Sequence, residues 1–193
     1  LGLIVGGVDI QLAAYCIGLS EIGEMSAQPF KTGGFFYWPM TPPLKTGPEE
    51  THPGSTLFDA QGFGKRRPEG IFTDTATRYL DAQVVAKESS LAFNFRRKTD
   101  GSLSDQTHSH LPEDVMKLML GKTGAMIARN AENIVKGLIP LEPYMVNHKT
   151  TACEFCDYAD ICRIGEVEHD VYRQIPPLTR RDLIDECRKP DGD

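Results

Sequence analysis

Apolar residues recur along the chain at two spacings, one helical and one alternating, and together these predict most of its elements. From Val8 to Glu24, VDIQLAAYCIGLSEIGE sets Ile10, Leu12, Ala13, Ile17 and Leu19 among polar positions. That spacing suits a helix with one buried side. After Gly33 and Gly34, FFYWPM gathers aromatic residues into a short strand that Pro39 and Pro42–Pro43 bring to an end. Residues 44–70 are rich in Pro, Gly, Thr and charge and predict a long surface excursion. Thr73 to Ala82 (TDTATRYLDA) predicts a short helix with Thr73 or Asp74 as its N-cap. SLAFNFRRK alternates Leu91, Phe93 and Phe95 with smaller or polar residues, the pattern of a half-buried strand, and TDGS at 99–102 is its turn. The clearest helix lies within Ser109–Leu138, where Val115, Leu118, Met119, Met126, Ile127, Ile134 and Val135 recur at helical spacing. Pro112 and Glu113 suit its first turn, and Gly137 and Pro140 its end. EPYMVN then predicts a short strand, and the charged, proline-punctuated last stretch a peripheral tail. The order is helix, strand, long loop, strand, long helix, strand and a cysteine-rich knuckle. It describes one α/β or α+β domain.

Length and composition leave that picture intact. The 193 residues suffice for one domain, and 40% hydrophobic with 25% charged residues is ordinary for a globular chain. No apolar run approaches the ~20 residues that cross a bilayer, so neither a membrane span nor a membrane partner is expected. The net charge of −6 does not mark a nucleic-acid binder, although a local basic channel can still supply the attraction. The chain opens on LGLIVGGVDIQ, already apolar and without methionine, as an internal cut through a larger protein would.

The candidate chemistry lies in TACEFCDYADICRI. Three of the five cysteines, Cys153, Cys156 and Cys162, fall there at C-x2-C-x5-C spacing. Without a secretory signal, such spacing indicates metal ligation in a reducing cytoplasm rather than disulfides. Thiolates bind zinc or iron–sulfur clusters well, and three of them close one side of a four-coordinate site. Zinc with His148 or His169 as fourth ligand gives a Cys3His binding module without catalysis. Cys16 sits in a helix that looks like core, and Cys187 in the polar tail.

This segment resembles the cluster-binding end of AddB-type nuclease domains, in the RecB-like branch of the PD-(D/E)XK nuclease superfamily. VDIQLAAYCIGL resembles the helix that carries Gln-x-x-x-Tyr in these nucleases, here Gln11 and Tyr15. KTGGFFYWPM, RRPEGIFTDT, TDGSLSD, the long helix and LEPYMVN follow in the family's order, so the likeness covers most of residues 8–173. It implies a restriction-endonuclease-like core, truncated at its N-terminus, over residues 1–173. The cluster segment is 150–164, and 174–193 form a tail. The resemblance further implies a [4Fe-4S] cluster on Cys153, Cys156 and Cys162 with a fourth cysteine upstream, acting as a structural staple. It implies Mg2+ in the intact nuclease site, DNA as substrate, and an AddA-like helicase–nuclease subunit as partner in resecting double-strand breaks. Gln11 and Tyr15 then look into the active site. The family's Asp/Glu-x-Lys strand precedes that helix, yet LGLIVGGVDI contains no lysine and Asp9 is out of place for it. The chain alone is therefore expected to be inactive.

The remaining candidates carry less. GFGKRRPEG shares only glycines with a phosphate loop, and His108 and His110 read as a solvated helix entry. Lys65, Arg66 and Arg67, with Arg96, Arg97 and Lys98, form two basic clusters that can line a single-strand path, or are simply solvated. Phe35, Phe36 and Trp38 are expected in the core.

Overall fold

The computed structural model describes residues 2–25, 27, 30–38, 67–104, 107, 109–147, 149–164 and 172–190. Residues 44–66 of the expected surface excursion, with Lys65 and Arg66, and His108, His148 and His169 lie outside these residues, while the last two of the excursion, Glu69 and Gly70, begin a strand instead. Two compact units divide the chain. One holds residues 1–17 with 118–193 and the other residues 18–117, so the division falls inside two helices.

In the unit of residues 18–117, strand β1 (Gly34–Tyr37) pairs antiparallel with β2 (Glu69–Thr73), and β2 pairs parallel with β3 (His110–Leu111). The aromatic run makes β1 as expected, and its glycines explain how closely the strands meet. Gly70 stands opposite Phe36. A Cβ there would run into the Phe35 carbonyl and lie 2.7 Å from Phe36 Cα. Behind the sheet, Phe72, Val84 and Phe95 form a core against which Phe36, Leu80, Phe93 and Leu103 pack. Phe36 and Phe93 meet tilted by 56° with centroids 5.2 Å apart, while Phe36 and Phe72 stack at 6.1 Å. Trp38, expected in this core, is 51% exposed, because it follows the last paired residue of β1.

Two further expectations are corrected in this unit. Residues 90–98 do not form a strand. The Ser90 amide donates to the Phe95 carbonyl at 3.0 Å and the Phe93 amide to Ser90 Oγ at 3.0 Å, which folds the segment into a tight loop. Phe95 is buried and Leu91 exposed, so the alternation recorded burial without a ladder. The predicted helix at 73–82 begins as a 3-10 turn (Asp74–Ala76) and becomes α-helical only over Thr77–Leu80. Thr73 stands at the N-cap position of that turn, but its hydroxyl bonds the Gly33 carbonyl instead of capping. The 99–102 turn forms as expected, with Gly101 at φ 81° and Asp100 Oδ1 accepting from the Ser102 amide at 2.9 Å.

The other unit opens with a short helix, α1 (Gly2–Val5), and then α2 (Gln11–Met25). In chain order α3 is Thr77–Leu80, α4 Glu113–Val135, α5 Ala159–Cys162 and α6 Arg180–Arg188. The α2 helix is where the sequence places it, but its expected single buried side is not seen: Ala13 is buried while Leu19 is 55% exposed. The α4 helix matches expectation at both ends. The Met116 amide donates to the Pro112 carbonyl, and Gly137 at φ 71° lets Leu138 and Gly137 close back on Asn133 and Ile134. Strand β4 (Tyr144–Val146) is central in a second sheet, antiparallel to β5 (Thr150–Thr151) and parallel to β6 (Arg173–Ile175).

Residues 174–190 carry more structure than their charge suggests. A Thr179–Asp182 capping box starts α6. Leu183 and Cys187, four apart on its inner face, are buried together with Ile175. Lys122 of α4 donates to the Lys189 carbonyl at 2.7 Å, satisfying one of the acceptors left open at the end of α6.

Candidate functional site

On α2 the four-residue spacing sets Gln11 and Tyr15 on one helical face, and Gln11 Nε2 donates to Tyr15 Oη at 2.8 Å. Tyr15 is 57% exposed. The two side chains are thus ordered against each other while their outer surface stays open. Asp9 lies in the bend before the helix, its amide bonded to the Leu3 carbonyl, and not on a strand. Nowhere in the 193 residues does an Asp or Glu stand two positions before a Lys.

The cysteine segment follows directly from the β4–β5 hairpin. The Cys153 amide donates to Thr151 Oγ1 at 3.2 Å, tying the first thiol to the end of β5. The chain then advances by tight turns, Cys156 N to Cys153 O at 3.3 Å and Ala159 N to Cys156 O at 3.2 Å, into the single turn of α5. That turn carries Cys162 and stops at Arg163, at φ 51°. All three cysteines are free thiols, Cys153 half-buried and Cys156 and Cys162 exposed.

A residue that no motif or spacing singles out stands beside them. Strand register sets Tyr172 and Cys153 level with Pro143 from its two sides. The Cys153 thiol holds the Tyr172 pKa above its usual value, with desolvation and the thiol charges adding to the rise. Among the described residues no three His, Cys, Asp or Glu side chains converge as a metal-holding group. The three thiols are a donor set that suits a soft metal or an iron–sulfur cluster.

In the unit of residues 18–117 a second polar cluster closes the start of α4. Glu113 takes a salt bridge from Lys31 Nζ at 2.8 Å and a hydrogen bond from Thr75 Oγ1. The Lys31 bond first, then Thr75, draw its pKa from 4.5 to about 2 against the opposing effect of burial. His110 is buried, with Nδ1 2.6 Å from the Thr107 carbonyl and Nε2 3.6 Å from Asp74 Oδ1. It belongs to the packed end of β3, not to a solvated helix entry. The basic clusters are partly committed to structure as well. Arg67 donates to the Leu91 and Ser90 carbonyls, and Arg97 to the Gly101 carbonyl and Thr77 Oγ1.

A model of the PD-(D/E)XK nuclease superfamily matches residues 5–163, from before Gln11 to just beyond Cys162. The chain belongs to that superfamily. It is 28% identical over 169 residues to an ATP-dependent helicase/deoxyribonuclease subunit of Lactiplantibacillus plantarum, covering 85% of this chain and 14% of that protein. Proteins of the same name from Carboxydothermus hydrogenoformans and Alkaliphilus metalliredigens are 24% and 22% identical over 90% and 95% of the chain. The chain spans 15% and 16% of those two relatives, about one seventh of the length. No helix among the described residues is long and apolar enough to cross a membrane.

Proposed function

We propose that this chain is the C-terminal part of the nuclease domain of an AddB-type subunit, which hydrolyses one DNA strand at broken ends beside an AddA-like helicase–nuclease partner. The observation that carries the reading is the reach of the family match. One stretch, residues 5–163, takes in both the Gln11–Tyr15 helix and all three clustered cysteines.

In this reading the catalytic Asp and the Asp/Glu-x-Lys strand belong to sequence before Leu1. Those carboxylates would hold Mg2+, whose chemistry would be to polarise a water and neutralise charge on the phosphate. Gln11, already held by Tyr15, orients the active-site groups across the open face of α2. The Tyr15 hydroxyl meets a phosphate oxygen or the catalytic lysine. Cys153, Cys156 and Cys162 would hold a [4Fe-4S] cluster with a fourth cysteine from upstream, as a structural staple rather than a catalytic redox centre.

One experiment tests both parts. The purified chain and the full-length subunit in its complex are incubated with linear DNA and Mg2+ after anaerobic purification and metal analysis. Degradation by the complex alone, with iron and acid-labile sulfide in the subunit, is the expected result. Clear degradation by the chain alone contradicts the placement of the catalytic groups. Stoichiometric zinc in place of iron favours a Cys3His module instead.

A further inference from the structure

Three segments of the unit of residues 1–17 and 118–193 enclose a cavity of about 520 Å³, away from the Gln11–Tyr15 pair and the clustered cysteines. Val5 at the end of α1 forms one side, a face of α4 the second, and the end of α6 with Lys189 and Pro190 the third. The volume falls within the ~300–1,000 Å³ of small-molecule sites. Met119 and Met126, two turns apart on α4, line it together with Val5, Ala125 and Pro190. Thr123, between the two methionines, gives its hydroxyl proton to the Met119 carbonyl at 2.9 Å and so leaves the cavity no donor there. The lining is thus mostly apolar, and methionine side chains adapt to bodies of many shapes.

Charge around this cavity runs against that of the whole chain. The net charge is −6, yet the cavity has three cations, Lys122, Arg129 and Lys189, and one acid, Glu186. Lys189 Nζ pairs with Glu186 at 2.6 Å. Lys122 Nζ bonds the Glu186 and Lys189 carbonyls at 3.4 and 2.7 Å, neutral acceptors that fix the ammonium at the wall. Arg129 stands exposed two turns along α4 from Lys122. Glu132, the nearest acid along that helix, pairs with Lys136 at 3.6 Å. A guanidinium at the edge of an apolar lining suits a ligand that is itself half apolar and half anionic, because its parallel N–H groups match a phosphate or a carboxylate.

We propose that this cavity binds a small organic anion, its apolar body seated on Met119 and Met126 and its phosphate or carboxylate held by Arg129. The site is independent of the nuclease reading, whose groups lie on α2 and in the cysteine segment.

The test uses the full-length protein, with naphthyl phosphate and naphthoate as probes, read by hydrogen–deuterium exchange and mass spectrometry. Slower exchange in peptides covering residues 119–129 and 186–190, saturating with probe, is expected, and the tighter probe names the headgroup. Arg129→Gln removes a charge at an exposed position and is expected to weaken binding roughly tenfold. Lys136→Gln, one residue past α4, serves as control and is expected to leave binding unchanged. Inorganic phosphate as effective as naphthyl phosphate, or neutral naphthalenemethanol as effective as either probe, overturns the proposal, because each lacks one half of the recognition. No protection of these peptides at millimolar probe overturns it outright, and so does undiminished binding by Arg129→Gln.

Discussion

Glu113 gathers a lysine and two threonines onto one carboxylate, and its titration is the measurable consequence. Its folded pKa, about 2, lies below the ordinary 4.5, so ionised Glu113 stabilises the fold above pH 4.5. That contribution fades as pH falls from 4.5 toward 2. Lys31 is 75% exposed, which limits the pair to about 1 kcal/mol after screening. Glu113→Gln is accordingly expected to lose about that much at pH 7 by urea denaturation, the gap to the unmodified chain closing as the pH is lowered through this window. A gap that stays constant from pH 7 to pH 2.5 would contradict the assignment. No local pattern singles out this cluster, since Lys31, Thr75 and Glu113 lie in three segments far apart in the chain. Tyr172 was illegible for the same reason: its place across Pro143 from Cys153 is fixed by strand register, not by spacing. Gln11 and Tyr15 were legible because their partnership is local, one helical turn.

Among the elements, those defined by local rules emerged as the pattern predicted. The α4 helix has its periodic apolar positions, a proline at its start and a glycine in the left-handed region at its end, and each signal acts within a few residues. The segment 90–98 shows the limit of such signals. Alternation recorded that Phe95 goes inward, but pairing requires a free neighbouring edge, and here Ser90 turns the chain back on itself before a ladder forms. The 3-10 turn at Asp74–Ala76 departs similarly, because Thr73 commits its hydroxyl to the Gly33 carbonyl rather than to a cap. Close strand approach sets a further test. Any side chain at Gly70 meets the backbone of β1, so Gly70→Ala is expected to cost about 2 kcal/mol in urea denaturation. A neutral effect would mean that β1 and β2 lie further apart than this register implies.

For the whole chain, charge and its local use matter together. The net charge is −6, and Arg67 and Arg97 from the two basic clusters hold carbonyls within their own unit. Nonspecific DNA binding depends on cations free to displace counterions. The chain alone is therefore expected to bind a short duplex more weakly than about 10⁻⁵ M at physiological salt, read by fluorescence anisotropy. Submicromolar binding would show that the basic residues act on DNA without the rest of a longer protein. The C-x2-C-x5-C spacing, the Gln-x-x-x-Tyr pair, the long capped helix and the glycine turns were determined by the sequence itself, because each is a relation between residues a few positions apart. Tertiary structure alone decided that Tyr172 and Cys153 flank Pro143, that Lys31 and Thr75 stabilise the ionised Glu113, that Trp38 is exposed, and that the charged tail buries Leu183 and Cys187. Those outcomes depend on which strands pair and in what register, and pairing is chosen by the free energy of the folded unit rather than by any one segment.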